Sequence, residues 1–214
     1  MKLLLVCLFG ALWLGAQPVS FGVRGGVPLT DFIDAPSSLP APFISLFAYQ
    51  TTTNRYLIGP TVEVRLSSRF AIEGDALYRH LNYASETCSS GSGCTIGHTT
   101  GNTWEFPVLA KYRIGEKRVR PYIDAGIAWD VLTGLHQTLT FLGPFAGGPS
   151  STSHPFELLE KETNGFVVGG GVDFHVMFVH IAPEVRYTRW INQQLGGLSS
   201  QNQAEFLIGL TFGR

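Results

Sequence analysis

The stretch His180–Trp190 reads HIAPEVRYTRW. Ile181, Val185 and Tyr187 alternate with His180, Glu184 and Arg186, the period-two pattern of a strand with one apolar face and one face carrying full charges. In a water-soluble sheet the charged face turns outward and the apolar face forms the core. In a barrel that crosses a lipid bilayer the assignment inverts, with apolar side chains against lipid and charges in the lumen. The remaining sequence decides between the two.

The chain has 214 residues, a formal net charge of -1 and 14% charged residues, so it offers no basic surface for nucleic acid. Its opening, MKLLLVCLFGALWLGAQ, has a basic Lys2, an apolar run from Leu3 to Leu14 and a small Ala16. That layout predicts a secretory signal peptide over residues 1–16, cut after Ala16. A retained anchor suits it less well, because the run is short and lacks a basic flank after it. Cys7 lies inside the run behind Val6, which does not suit a lipoprotein cleavage site.

Residues 17–214 then form one domain. After Ala16 no apolar run approaches the roughly 20 residues of a membrane-spanning helix, whereas a barrel strand needs only roughly 9 to 11 alternating residues. Cys88 and Cys94, in CSSGSGC, are expected to close a loop-tying disulfide in an oxidising compartment. The alternative, a metal or redox pair, finds no second Cys or His cluster to complete it.

Eight segments alternate with period two and are separated by turn chemistry: Val19–Leu29, Tyr56–Leu66, Phe70–Asn82, Trp104–Ile114, Val119–Val131, Gly165–Phe174, Val179–Trp190 and Ala204–Phe212. The second and third are joined by SSR, the fourth and fifth by GEKR, and the sixth and seventh by HVMF; the other connections are long. Short turns at one end and long loops at the other predict an eight-stranded antiparallel up-and-down transmembrane barrel, with periplasmic turns and extracellular loops.

Sixteen strand charges fall on the parity opposite the bulky apolar residues: Arg24, Glu63, Arg65, Glu73, Asp75, Arg79, Glu105, Lys111, Arg113, Arg120, Asp124, Asp130, Asp173, Glu184, Arg186 and Glu205. Arg189 alone breaks the pattern, at a strand end. The apolar parity includes Ile58, Val62, Phe106, Val108, Ile123, Ile127, Ile208 and Leu210, and aromatics recur near segment ends at Phe70, Trp104, Tyr112, Trp129, Tyr187 and Phe212. Such placement suits interfacial girdles, although aromatics favour strands in general. Glycines such as Gly126, Gly169, Gly171 and Gly209 share the polar parity, and small residues between long charged ones suit a narrow lumen. A soluble sandwich would instead show Lys, Thr, Ser and Gln there. Pro60, Pro107, Pro121 and Pro183 fall inside strands, where each removes a ladder donor, so bulges or broken pairing are expected.

The phrases FGVRGGVPLTDF, GPTVEVRL, IEGDALYRHL, WEFPVLAKYR, RPYIDAGIAW, GGGVDF, APEVRYTRW and FLIGLTF together resemble the outer membrane protein beta-barrel domain family, the porin-like or OmpA-transmembrane-like small barrels of Gram-negative-type bacteria. The resemblance spans nearly all of residues 17–214 through loose motifs. It implies an eight-stranded barrel in the cell outer membrane that tolerates prolines in the equivalents of FPVLAKYR and RPYIDAG. It further implies outer-membrane lipid as surroundings, the insertion machinery and periplasmic chaperones as partners in biogenesis, and a monomer. Such barrels commonly end on an aromatic residue; here Gly213 and Arg214 follow Phe212, which displaces that signal by two residues. An OmpA-type protein also carries a peptidoglycan-binding domain, whereas this chain stops at the barrel, so cell-wall anchoring is not expected.

The inward set has seven cations and nine carboxylates, which predicts a cross-strand ion-pair network rather than the one-signed lining of a selective channel. Glu73, Asp75 and Arg79 are expected to meet Lys111 and Arg113, with Glu184 and Arg186 in the same network. The alternative is a small-solute porin. A lipid A-modifying enzyme would need a converging nucleophile, base and acid. The candidates His80, His98, His136 and His154, and the local Ser153, His154 and Glu157, have no spacing that forces convergence, so neither catalysis nor a cofactor is expected. The apolar loop stretches LPAPFISLFAY and LTFLGPFAGGP suit either partner capture or packing over the barrel mouth.

Overall fold

The computed structural model describes residues 19–33, 45–51, 56–89, 93–115, 119–143, 148–155, 157–176, 179–196 and 199–213. The signal peptide expected over residues 1–16, residues 116–118 of the GEKR turn, 177–178 of the HVMF turn, and 39–44 and 144–147 of the two apolar loop stretches lie outside them. Among the described residues eleven strands form one antiparallel sheet: β1 Val19–Pro28, β2 Ser45–Thr51, β3 Leu57–Arg65, β4 Phe70–Asp75, β5 Leu77–Ser89, β6 Gly93–Arg113, β7 Val119–Leu142, β8 Ser150–Thr152, β9 Glu162–Val176, β10 Val179–Trp190 and β11 Asn202–Phe212. Among the described residues no helix is long and apolar enough to cross a membrane, which leaves crossing by strands open.

The sheet closes on itself. β1 pairs with β3 on one side and with β11 on the other, with Phe21 opposite Phe212 and Val27 opposite Phe206. The closed ring has eight antiparallel strands, because β4 and β5 are one barrel strand interrupted at Ala76, while β2 and β8 pair only with the outer ends of β5 and β7.

The interruption follows from proline. Val62 and Val108 both face Gly74, Ile58 faces Tyr78 and Trp104 faces Tyr78, but the ladder lapses on both sides between these pairs. Pro60 and Pro107 lie in those gaps, and neither has an N–H to give; Ala76 N–H instead donates to the Pro60 carbonyl at 3.0 Å. The same lapse recurs around Pro183, where β9–β10 pairing stops at Ile181–Phe174 and resumes at Glu184–Gly171. The turn between β3 and β4 is tied by Ser67, whose hydroxyl accepts from the backbone N–H groups of Arg69 and Phe70 at 3.3 and 3.1 Å.

Two strands far exceed a membrane crossing. β6 has 21 residues and β7 has 24, roughly 70 to 80 Å at the rise of a strand, against an apolar band of roughly 25 Å. The sequence predicts their inner halves only, because 93–103 and 132–142 face no lipid and so carry no apolar stripe. Beyond the barrel, β2, β5, β6, β7 and β8 continue as a five-stranded extramembrane sheet. Its β5–β6 hairpin ends at directly opposed Cys88 and Cys94, joined by a disulfide. In β7 a bulge at Gly134, φ +60°, puts three steps against two on β6 and turns both Leu132 and Leu135 inward.

The two faces of the barrel divide as lipid immersion requires. Ile58, Val108, Ile123, Ile127, Phe166, Val185, Ile208 and Leu210 are exposed, while the alternating charged residues are buried. A continuous apolar belt of this kind is stable only when covered, and lipid covers it. Aromatic contacts mark its two rims: Phe70 with Tyr112 near the short turns, and Tyr78 with Trp104 at the opposite end, with ring centroids 4.9 and 5.2 Å apart. Just beyond Trp104 the outward face turns polar, and Asn102 Oδ1 accepts from Tyr78 Oη at 2.7 Å and lies 3.0 Å from His80 Nδ1.

Ile127→Arg, near mid-belt, should lower unfolding free energy in lipid vesicles by about 2–4 kcal/mol. His136→Arg, on the exposed sheet beyond the belt, should change it by less than about 0.5 kcal/mol in the same urea titration.

Candidate functional site

Because side chains alternate along every strand, the inward parity of eight strands converges on one lumen. Fourteen of the sixteen inward charges are buried; Arg65 and Arg120, at the end with the short turns, are half-buried. Gly169 and Gly209 make room for them: a Cβ at Gly169 would lie 2.5 Å from Asp124 Oδ1, and one at Gly209 would lie 3.4 Å from the Arg24 guanidinium. Arg189 is exposed and donates to Asn202 at 2.8 Å at the outer strand end.

The network falls into layers. In the lowest, Arg113 donates to Glu63 and, at 3.0 Å, to Asp173, which also accepts from Arg120 at 3.1 Å. Arg65 donates to Glu63 at 3.2 Å and lies 3.0 Å from His180 Nε2. His180 Nδ1 is 2.9 Å from Asp173, and His175 Nδ1 is 3.0 Å from His180 Nε2.

The middle layer is the most heavily paired. Arg24 meets Glu73 at 2.7 Å, Glu184 at 2.8 Å and Asp75 at 3.4 Å. Arg186 donates to Glu184 at 2.8 Å and through two nitrogens to Asp75 at 3.1 Å. Lys111 bonds Glu73 and sits 4.3 Å from the centroid of the Tyr122 ring, whose hydroxyl donates to Glu184 at 2.9 Å. Asp124 is buried beside them without a hydrogen-bond partner among the described residues.

In the upper layer Gln203 Nε2 donates to Glu105 at 3.1 Å and to Glu205, while its Oε1 accepts from Trp190 Nε1 at 3.1 Å and Arg79 at 3.5 Å. Asp130 accepts from the Thr103 hydroxyl. Arg79 also lies 5.1 Å from the Phe32 ring centroid. Above it an apolar plug of Ile33, Leu81, Tyr83, Leu132, Leu135 and Leu195, flanked by Phe32 and Leu158, fills the mouth.

The structure therefore brings Glu73 to Lys111 and joins Glu184, Arg186 and Asp75. It takes Arg113 to Glu63 and Asp173, and Arg79 to Gln203 and Phe32. Tyr122, Gln203, Trp190, His175 and His180 also belong to the site. Tyr122, Gln203 and Trp190 sit on the charged parity of their strands and were detectable by that alone. Among the described residues a cavity of about 10 Å³, room for one water molecule, lies between the lower and middle layers against Arg24, Lys111, Arg113 and Asp173.

The residues weighed for catalysis stay apart from this network. Ser153 Oγ is 3.2 Å from His154 Nδ1 on the exposed surface, but Glu157 instead accepts from Gln137 at 3.2 Å. Glu86 lies with Cys88 and Cys94 at the hairpin tip, and Cys88 Sγ is 3.5 Å from its carboxylate. With both sulfurs in the disulfide, that trio holds no thiolate for a metal.

The family model for the outer membrane protein beta-barrel domain matches residues 15–194. OprG from Pseudomonas aeruginosa shares the fold, with a TM-score of 0.52 at 13% identity over 93% of this chain and 96% of that one. The N-terminal barrel of Pseudomonas aeruginosa OprF gives 0.42 at 12% identity, covering 92% and 98%, and Ail of Yersinia pestis gives 0.43 at 10%, covering 92% and 97%. None of the curated proteins matches.

Arg186→Met, which strips two buried carboxylates of a partner, should cost about 3–5 kcal/mol of unfolding free energy. Arg120→Met should cost about 1 kcal/mol or less, since Asp173 keeps Arg113 and His180. Equilibrium urea unfolding in vesicles reads both.

Proposed function

The chain belongs to the outer membrane protein beta-barrel domain family and resides in the cell outer membrane, and from that premise we propose that it is a closed, non-conducting and non-catalytic barrel whose working surface is the extramembrane sheet. The carrying observation is the filled lumen. Three layers of mutually bonded side chains and an apolar plug occupy the path that a solute would take. An eight-stranded barrel encloses only enough space for its own side chains, and this one uses it for pairing rather than for a one-signed lining.

What remains for function is display. A sheet of five strands, tipped by the Cys88–Cys94 disulfide, stands beyond the lipid belt on a barrel that fixes its orientation. That arrangement supports a structural or interaction role, carried out by a monomer in outer-membrane lipid after delivery by periplasmic chaperones and the insertion machinery. Residues 1–16 act as the export leader in this reading.

Purified barrel in planar bilayers should give no unitary conductance steps; regular steps altered by Arg24→Ala would overturn the closed-lumen reading in favour of a small-solute pore. Mass spectrometry of the protein taken from outer-membrane fractions should give an N-terminus at Gln17. An intact Met1 or a soluble periplasmic protein would contradict export as described.

A further inference from the structure

The seven cations and nine carboxylates in the lumen leave two negative charges uncompensated, and their distribution is uneven. The lower layer holds Arg65, Arg113 and Arg120 against Glu63 and Asp173. In the middle, Arg24, Lys111 and Arg186 face Glu73, Asp75, Glu184 and Asp124. In the upper layer Arg79 is the one cation among the described residues that stands with Glu105, Asp130 and Glu205, all buried.

Glu105 and Glu205 converge on a single atom, Gln203 Nε2, so the two carboxyl groups are held together with at most one amide between them. Among the described residues Glu105 Oε1 and Glu205 Oε2 have no hydrogen-bond partner, and neither does the buried Thr188 hydroxyl on the residue opposite Gln203. The charged groups facing this pair are Arg79 from β5, Asp130 from β7, and Arg186 and Glu184 from β10; Asp75 of β4 and Arg24 of β1 lie one layer below. Arg186 is already committed to Asp75 and Glu184, and Arg24 to Glu73 and Glu184. Two adjacent carboxylates in a closed interior with so little compensation do not both stay ionised.

We propose that Glu105 and Glu205 form a proton-binding site beneath the apolar plug, one carboxyl group holding a proton and the other remaining a carboxylate, with Gln203 bridging them. The site is coupled to the mouth through Arg79, which touches Gln203 on one side and the Phe32 ring on the other. Release of the proton to solvent turns the carboxylic acid into a second carboxylate. That charge draws Arg79 away from Phe32 and loosens its hold on Phe32 beside the plug. Because the folded barrel binds a proton that the unfolded chain gives up at neutral pH, the site's contribution to stability is present at acid pH and fades as pH rises.

Infrared difference spectra of wild-type barrel in phosphatidylcholine vesicles, acidic minus alkaline, should show a carboxylic-acid carbonyl band that weakens in Glu105→Gln and in Glu205→Gln. Glu105→Gln should raise the thermal midpoint at alkaline pH, whereas Glu73→Gln, which strips Lys111 and Arg24 of a partner, should lower it. Trp190 emission, read in a Trp104→Phe, Trp129→Phe background, should shift across the same pH range and lose that shift in Glu105→Gln. A band of unchanged intensity in both Gln variants overturns the proposal. So does a wild-type midpoint that falls with chelator and rises with Ca²⁺, since a bound metal would then supply the missing charge. The wild-type spectrum and the chelator test need no variant to fold.

Discussion

Lipid outside the barrel reverses the usual placement of polarity, and this one constraint organises the molecule. An inward charge deep in the barrel has no bulk water to return to, so it is compensated across the lumen or, as a carboxyl group, by a proton. That requirement explains why single side chains serve several strands at once. Arg24 of β1 reaches Glu73 of β4 and Glu184 of β10, and Arg186 reaches from β10 to Asp75. The ion pairs are cross-braces, and their value lies in what breaking one leaves behind.

The same reversal made the barrel readable from sequence and set the limit of that reading. Where a strand touches lipid, an outward apolar parity alternates with an inward parity that carries the charges, as at Glu184–Tyr187, and the eight crossings follow. Where β5, β6 and β7 leave the lipid, nothing demands a stripe, so Gly93–Thr103 and Leu132–Leu142 looked like loop although they pair along their length but for one bulge. The bulge at Gly134 hid them further by shifting the phase, since Leu132 and Leu135 are three apart yet face the same way.

Partner choice within the lumen was less accessible. Alternation gives a side chain its direction but not its height, and the height depends on the stagger of strands around the ring. Arg113 thus sits level with Glu63 and Asp173 instead of Glu73, and Arg79 rises to Gln203 beneath Phe32. Proline acted as expected at three of its four strand positions, whereas Pro121 pairs with Val172 in an unbroken ladder; Pro60 and Pro107, far apart in sequence, flank the same residue, Ala76, and together split one barrel strand into β4 and β5.

The seam between β1 and β11 has a kinetic meaning. Most neighbours in the ring are also neighbours in the chain, so hairpins such as β5–β6 close over short loops, while β1 and β11 bring the two ends of the barrel together. Pairing of the most distant segments pays the largest loop-closure entropy and comes last. The seam is lined by Gly22, Gly25, Gly26 and Gly209, which bring little side-chain contact of their own. Arg24 lies in the same stretch and grips residues on both sides of it, so the seam itself carries the side chain that locks the circle.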